Sequence, residues 1–183
     1  MKKAVLVSGI PGTGKSRIAK SLINVLQVLG EENYFKEALV VGHKVSGLTI
    51  IGDYSDKGET FPGGDKLSMA VSPEFQEYVK KHSPNLFIEG DRLVGNKTID
   101  FLLEEGYDLR VIILKVPQEI VHQRYIQRGS HQDPTFLKSK ATKVSNISSR
   151  MDLNMDGILV EMDHVTNFDT NEIMEFVCNF MKE

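Results

Sequence analysis

Gly9-Ile10-Pro11-Gly12-Thr13-Gly14-Lys15-Ser16 completes the pattern G-x-x-x-x-G-K-[ST] and follows directly on the apolar run Ala4-Val5-Leu6-Val7. Beyond it, Ile18, Leu22 and Leu26 recur at four-residue spacing, with Ala19, Val25 and Leu29 beside them. The motif therefore stands between a predicted strand and a predicted helix, the context in which such a loop binds phosphate. Its glycines let backbone N–H groups turn inward around phosphate oxygens, where a bulky side chain would block approach. The helix N-terminus adds partial positive charge. On this reading Gly9, Pro11, Gly12, Thr13, Gly14, Lys15 and Ser16 hold a nucleoside triphosphate, expected to be ATP. Lys15 reaches the β- and γ-phosphates, and the Ser16 hydroxyl ligates Mg²⁺. The plainer alternative is a glycine-rich turn with an exposed lysine, and the full spacing with both flanks argues against it.

Size and composition allow one domain with a substantial core: 183 residues, 40% hydrophobic and 26% charged. No segment has the apolar length to span a bilayer, and Met1-Lys2-Lys3 runs straight into the first strand, so neither membrane anchor nor signal peptide is expected. Cys178 is the one cysteine, so no internal disulfide forms; its place in an apolar helical stripe suits a core residue better than a nucleophile. A cytoplasmic location is the expectation. The net charge of −3 disfavours a protein that coats nucleic acid, while a local basic patch stays possible.

Strands and helices alternate along the rest of the chain. The first helix is expected to end at Gly30, and residues 38–42 and 48–52 read as strands joined by a hairpin loop from His43 to Gly47. The polar, glycine-rich stretch 53–66 breaks the pattern and is a candidate substrate loop, extending to about residue 68. A helix over 74–82 turns Phe75 and Val79 inward, Leu86-Phe87-Ile88 is a short buried strand, a helix fits 96–105, and 109–116 suits a central parallel strand. Pro117 and Asp133-Pro134 each open a helix, the second with Leu137, Ala141, Val144 and Met151 on one stripe; together they span a lid region of about 117–150. Residues 157–161 read as a last strand. Asp169-Thr170-Asn171-Glu172 reads as a capping-box variant before the stripe Ile173, Phe176, Val177 and Phe180. The fold class that follows is α/β: a doubly wound, mainly parallel sheet, with the phosphate loop at the carboxyl ends of its strands.

A phosphate loop alone does not separate kinases from switch GTPases or motor ATPases. The chain has no Asn-Lys-x-Asp run to read guanine, and it is short for an ATPase with its own helical lid domain. It does carry Glu89-Gly90-Asp91-Arg92 at the end of a buried strand. There Glu89 could approach the metal and Arg92 a phosphate; an exposed charged turn is the alternative. Arg124 and Arg128 lie four apart on one helical face, where a lid would bring them over the triphosphate; a solvated basic face is the alternative. For the carboxylate that takes the acceptor proton, Asp53, Asp65, Glu89 and Asp91 are candidates, with Asp53 narrowly preferred, although Asp53 and Asp65 could equally be turn residues.

Three segments, Gly52-Asp53-Tyr54, Phe61 through Ala70, and Ile88 through Leu93, together with Thr135-Phe136-Leu137-Lys138 through Lys143, make the chain resemble bacteriophage P-loop kinases of the nucleotide-kinase superfamily, the 5-hydroxymethyluracil DNA kinases among them. The resemblance implies ATP- and Mg²⁺-dependent phosphorylation of the base's hydroxymethyl group within DNA, in the cytoplasm of an infected host. Tyr54 and Phe61 border the substrate loop and could stack on a base, with Asp65, Lys66 and Arg92 beside them. Lys66 stands where the resemblance leads one to expect arginine, and lysine lacks the bidentate fork. Lys138, Lys140, Lys143 and Arg150 form a basic stretch that could track DNA phosphates or simply be solvated. A kinase of free nucleotides or nucleosides, and a nucleotide-binding regulator that transfers nothing, are the competing readings.

Overall fold

In a computed structural model, which describes residues 1–55, 63–127, 129 and 133–183, the strand before the phosphate loop, β1 (Lys3–Ser8), is buried along its whole length. It lies between β5 (Asn85–Glu89) and β6 (Asp108–Lys115), parallel to both. Outward from this centre, β6 pairs in parallel with β7 (Leu159–Asp163), and β5 pairs in parallel with β4 (Leu48–Ile51). Then β3 (Val40–Val45) and β2 (Glu32–Glu37) follow antiparallel, giving the order β2-β3-β4-β5-β1-β6-β7. A mainly parallel α/β sheet is what the alternating pattern leads one to expect, and it is what forms.

Side-chain alternation along the central strands builds two cores, one on each face. Ala4, Leu6, Leu86, Ile88, Val111 and Ile113 face α2 (Val71–His82) and α3 (Asn96–Glu104), packing on Phe75, Val79, Ile99 and Leu102. Val5, Val7, Phe87, Ile112 and Leu114 face α1 (Lys15–Leu26) and α7 (Asn167–Lys182), against Ile18, Leu22, Ile173 and Val177. Lys3 joins α7 to the sheet, its Nζ donating to the Phe180 carbonyl at 2.7 Å while lying over the Phe180 ring. Cys178 packs partly buried against this second core, and burial pushes its thiol up. No helix among the described residues is long and apolar enough to cross a membrane.

Several boundaries differ from those expected, each for a physical reason. The first helix stops at Leu26 rather than Gly30; Ile23 joins its buried stripe, whereas Val25 and Leu29 point to solvent. β2 escapes the sequence pattern because Glu32-Asn33-Tyr34-Phe35-Lys36-Glu37 is an edge strand with mostly polar, exposed side chains. β3 extends into the expected loop, leaving a turn at Ser46-Gly47, where Ser46 (φ 47°) and Gly47 (φ 79°) are left-handed. α2 begins at Val71, earlier than expected, and the last strand lies at 159–163. The cap of α7 is Thr166, whose hydroxyl accepts from the Asp169 N–H while Asp169 bonds the Thr166 N–H, so the capping box sits three residues before the predicted one. Between Pro117 and Met155 the chain forms α4 (Gln118–Gln127), α5 (Pro134–Ser148) and the short α6 (Met151–Met155). Met151 is exposed and begins a new helix, so it leaves the stripe assigned to it.

The inward–outward division on α1 is testable by equilibrium unfolding in urea. Leu22→Ala is expected to cost about 2–5 kcal/mol through transfer and cavity effects, and Val25→Ala within about 0.5 kcal/mol.

Candidate active site

β1 delivers the phosphate loop at its carboxyl end, between β5 and β6, where the sheet's connections diverge to either side. Gly12 (φ 83°) and Gly14 (φ 91°) take left-handed backbone that disfavours side chains, and both are closely covered. A Cβ on Gly12 would stand 2.8 Å from the Tyr125 ring, and one on Gly14 would stand 2.4 Å from the His164 ring. Tyr125 donates its hydroxyl to the Pro11 carbonyl at 2.6 Å, and Thr13 Oγ1 bonds the Ile10 carbonyl at 2.8 Å. Lys15 is buried and folds back over the loop, its Nζ donating to the carbonyls of Gly9 (2.8 Å) and Ile10 (3.1 Å). Two neutral carbonyls are weaker partners for an ammonium than phosphate oxygens, so Lys15 is held where a bound phosphate could compete for it.

Glu89, the last residue of β5, is the hub beside that loop. Its Oε1 accepts from the Tyr54 hydroxyl at 2.6 Å, the Gly64 N–H at 2.9 Å and Ser16 Oγ at 3.2 Å. Its Oε2 is buried with no hydrogen-bond partner among the described residues. Burial pushes this carboxyl above its ordinary range, against the opposing pull of Gly64, Tyr54 and Lys15. A buried, half-satisfied carboxylate next to the loop serine fits a divalent cation, with Ser16, Glu89 and phosphate oxygens as its ligands. No group of three or more acids, histidines or cysteines suited to a metal assembles among the described residues, so the protein would supply only part of that coordination.

The predicted substrate residues divide into those the fold gathers and those it removes. Tyr54 is fully buried and cannot stack on a base; this corrects the sequence reading. It is pinned instead by His43 Nε2, which accepts its N–H at 3.0 Å, by Lys20, which donates to its carbonyl at 2.7 Å, and by Glu89. The burial that places its hydroxyl on Glu89 also raises its pKa well above the ordinary tyrosine range. Asp53 bonds the Ser55 N–H and hydroxyl and pairs with Lys66 at 3.1 Å. Burial raises its pKa, but these partners more than reverse that and hold it below the usual value. Gly63 and Gly64 press the loop onto Glu89: a Cβ on Gly64 would stand 2.0 Å from the Glu89 carbonyl oxygen. Asp65 Oδ1 then accepts the Asp91 N–H at 3.1 Å, and Asp91 Oδ2 pairs with Lys140 at 3.0 Å. Arg92 lies alongside, partly buried, with no hydrogen-bond partner for its Nε among the described residues. Phe61 and Arg128 lie outside the described residues.

Arg124 spans the rim of the loop, donating to the carbonyls of Gly12 (3.0 Å), His164 (3.1 Å) and Val165 (3.2 Å). His164 escaped the sequence reading. It is buried, its Nδ1 donates to the Thr13 carbonyl at 2.5 Å, and its Nε2 accepts from the Thr170 hydroxyl at 2.9 Å. Burial first, then repulsion from Arg124 and Arg17, lowers its pKa and favours the neutral ring that this pairing requires. A lone histidine carries no motif; its one signal is its place at the carboxyl end of a parallel strand. The apolar stripe of α5 does not enter the core here. Leu137 and Ala141 instead face Ile10, Val121 and Tyr125 across a groove of about 580 Å³, with Lys138 along its edge.

Comparison with known proteins bears on the fold and the family. No curated protein matches the chain. Among solved structures, a sugar kinase from Janibacter sp. HTCC2649 superposes with a TM-score of 0.54 at 14% identity, covering 100% of this chain and 95% of that one. A gluconokinase from Sinorhizobium meliloti 1021 gives 0.48 at 12% identity, covering 99% and 98%. The tunicamycin resistance protein of Deinococcus radiodurans gives 0.49 at 12%, covering 99% and 96%. At these identities the likeness is one of fold. The family model P-loop Nucleotide Kinase3 matches residues 1–174, and with the phosphate loop and its acidic partner in place the chain belongs to that family of kinases.

Proposed function

We propose that this kinase moves the γ-phosphoryl group of ATP to the 5-hydroxymethyl group of 5-hydroxymethyluracil in DNA, a step of thymine hypermodification in a phage-infected cell. One observation carries the reading: the three segments behind the resemblance meet around Glu89. The Asp53–Gly63 bridge, the Gly64 N–H on Glu89 and Asp65 on the Asp91 N–H join them. An extrahelical or single-stranded base is required, since a duplex would bury the hydroxymethyl group.

Lys15 exchanges its two carbonyl partners for β- and γ-phosphate oxygens, and Ser16 and Glu89 hold Mg²⁺. The metal supplies charge neutralisation on the transferring group. The acceptor oxygen attacks the γ-phosphorus, the bond to the β-phosphate oxygen breaks, ADP leaves, and the hydroxyl proton passes to a carboxylate. We assign that carboxylate to Asp65, which is exposed beside the Glu89 hub. Of the other candidates, Asp53 and Asp91 are each occupied by a lysine, and Glu89 is taken up by its three donors and its metal-side role. Arg124, from its place on the loop rim, stabilises charge on the transferring group.

Incubation with γ-labelled ATP and a panel of acceptors tests the assignment. Label is expected in hydroxymethyluracil oligonucleotides and absent from unmodified DNA. Label in a free nucleotide or nucleoside alone would make this a small-molecule kinase, and label in none would favour a regulatory NTPase. Lys15→Ala is expected to lower transfer by a hundredfold or more, on the order seen when one charge-stabilising donor is lost, and to weaken ATP binding measured by calorimetry. Tyr54→Phe removes a hydrogen bond that favours ionised Glu89, so the Glu89 pKa rises further. The acid limb of the kcat profile is then expected to move to higher pH, with the plateau kept. A uniform loss at every pH would mean that Tyr54 only packs.

A further inference from the structure

Basic side chains from two distant segments converge at the carboxyl end of β5. Lys140 Nζ lies 3.0 Å from Asp91 Oδ2, with both side chains less than one-fifth exposed. Lys143, on the next turn of α5, donates its Nζ to the Asp91 carbonyl oxygen at 2.6 Å. Its chain crosses Gly95 so closely that a Cβ there would stand 3.1 Å from Lys143 Cε. Arg92 adds a third cation, with its Nε buried and unbonded among the described residues. Among the described residues, Asp65 and Asp91 are the carboxylates paired within this cluster, so three positive charges face two negative ones. Burial, and then repulsion from Lys140 and Arg92, holds the Lys143 ammonium below its ordinary range despite the pull of Asp91 and Asp65. Positive charge is thus in excess where little water reaches it.

The rest of the basic stretch is placed differently. Arg150 is closed by Asp100 at 2.6 Å and by Asp152, and Lys138 borders the groove against Ile10. Charge alone therefore does not single out Lys140 and Lys143; their arrangement does. The cluster adjoins the transfer site, since Asp91 lies two residues from Glu89 and Asp65 follows the Gly64 that bonds Glu89. The donor has its own cation in Lys15 on the phosphate loop, and this second set stands on other elements.

We propose that Arg92, Lys140 and Lys143 form a subsite for a phosphate group of the acceptor, with the Asp91 carboxylate as the internal anion that this phosphate displaces from Lys140. The proposal rests on the phosphotransferase reading above and narrows it to acceptors that carry phosphate. That group is either a diester of a DNA strand or the monoester of a free nucleotide. A phosphate offers more acceptor oxygens than one carboxylate and can engage all three cations together.

Kinetics and binding test the proposal separately. The acceptors are a single-stranded oligonucleotide with one hydroxymethyluracil, hydroxymethyldeoxyuridine monophosphate, and the phosphate-free nucleoside. For a Lys140→Met/Lys143→Met double variant, KM for the phosphate-bearing acceptor is expected to rise about tenfold or more, with ATP KM and kcat near those of the parent. Lys81→Met, a charge loss at the ion pair with Glu37 of the edge strand β2, is expected to leave acceptor KM unchanged. A rise confined to the oligonucleotide identifies a diester, and one confined to the monophosphate identifies a monoester. Unchanged KM in the double variant, or an equal penalty with the nucleoside, overturns the subsite. Calorimetry with thymidine monophosphate and a thymidine oligonucleotide, at a saturating non-hydrolysable ATP analogue, reads the subsite without transfer. Binding that the double variant loses supports it even if none of these hydroxymethyl acceptors is phosphorylated, in which case the hydroxymethyl assignment fails and the phosphate subsite stands. Absence of binding to the parent protein, or equal binding to both, overturns it.

Discussion

The Glu89 carboxylate is the constraint on which the site depends. Burying an unpaired carboxylate costs on the order of several kcal/mol, and three donors on three separate segments reduce that cost at one oxygen only. The other oxygen is left unbonded among the described residues. A protein selected for stability alone would replace such a group with an apolar one. Keeping it makes sense where a cation completes its coordination during turnover, so the loss in resting stability and the capacity to hold metal share one cause. A raised pKa has a defined consequence. The folded protein keeps its proton at pH values where the unfolded chain has released it, so Glu89 disfavours the fold as pH rises from about its unfolded value. Metal binding to the ionised form opposes that loss.

Support for Glu89 reaches far from the loop. Tyr54 makes the shortest hydrogen bond to it, and Tyr54 is itself fixed by Lys20 of α1 and by His43 of β3. His43 Nδ1 donates to Glu32 on the edge strand β2, which fixes the tautomer and leaves Nε2 to accept the Tyr54 N–H. The antiparallel extension β2–β3–β4 is therefore more than an appendage to the parallel sheet. It carries the chain of hydrogen bonds that sets where the acidic residue stands relative to Ser16. On the other side of the loop His164 does comparable work for Thr13 and Gly14, so the phosphate loop is clamped between two buried histidine networks.

Much of this was legible in the residues, and what was not has specific physical causes. The phosphate loop could be read because its chemistry demands fixed spacing, and the central strands because burial on both faces leaves apolar runs. Glu89 could be suspected from its position at a strand end. Edge strand β2 could not be read, because an exposed edge carries polar side chains in no diagnostic pattern. The roles of Asp53 and Tyr54 depended on direction: the backbone bridge from Asp53 to Gly63 turns the tyrosine inward and leaves the aspartate to Ser55 and Lys66. His164 and Lys20 act through long-range hydrogen bonds, which leave no periodic trace in a sequence.

The helical stripe of α5 shows how a correct pattern can be given the wrong partner. Leu137, Ala141 and Val144 do lie on one side, but only the later part of the helix meets the core, through Val144 and Ile147. The earlier part turns to the groove beside Ile10 and Tyr125. Periodicity reports that a face is apolar and says nothing about what covers it. In this kinase that difference matters, because a helix sealed into the core along its whole length could not also carry Lys140 and Lys143 over a strand end. Anchoring α5 at Ile147 and leaving its N-terminal half on the groove gives it one fixed end and one end in contact with the phosphate-loop side chain Ile10. The same helix thereby touches the phosphate loop at Ile10 through Leu137 and the end of β5 through Lys143, so one rigid element spans both regions.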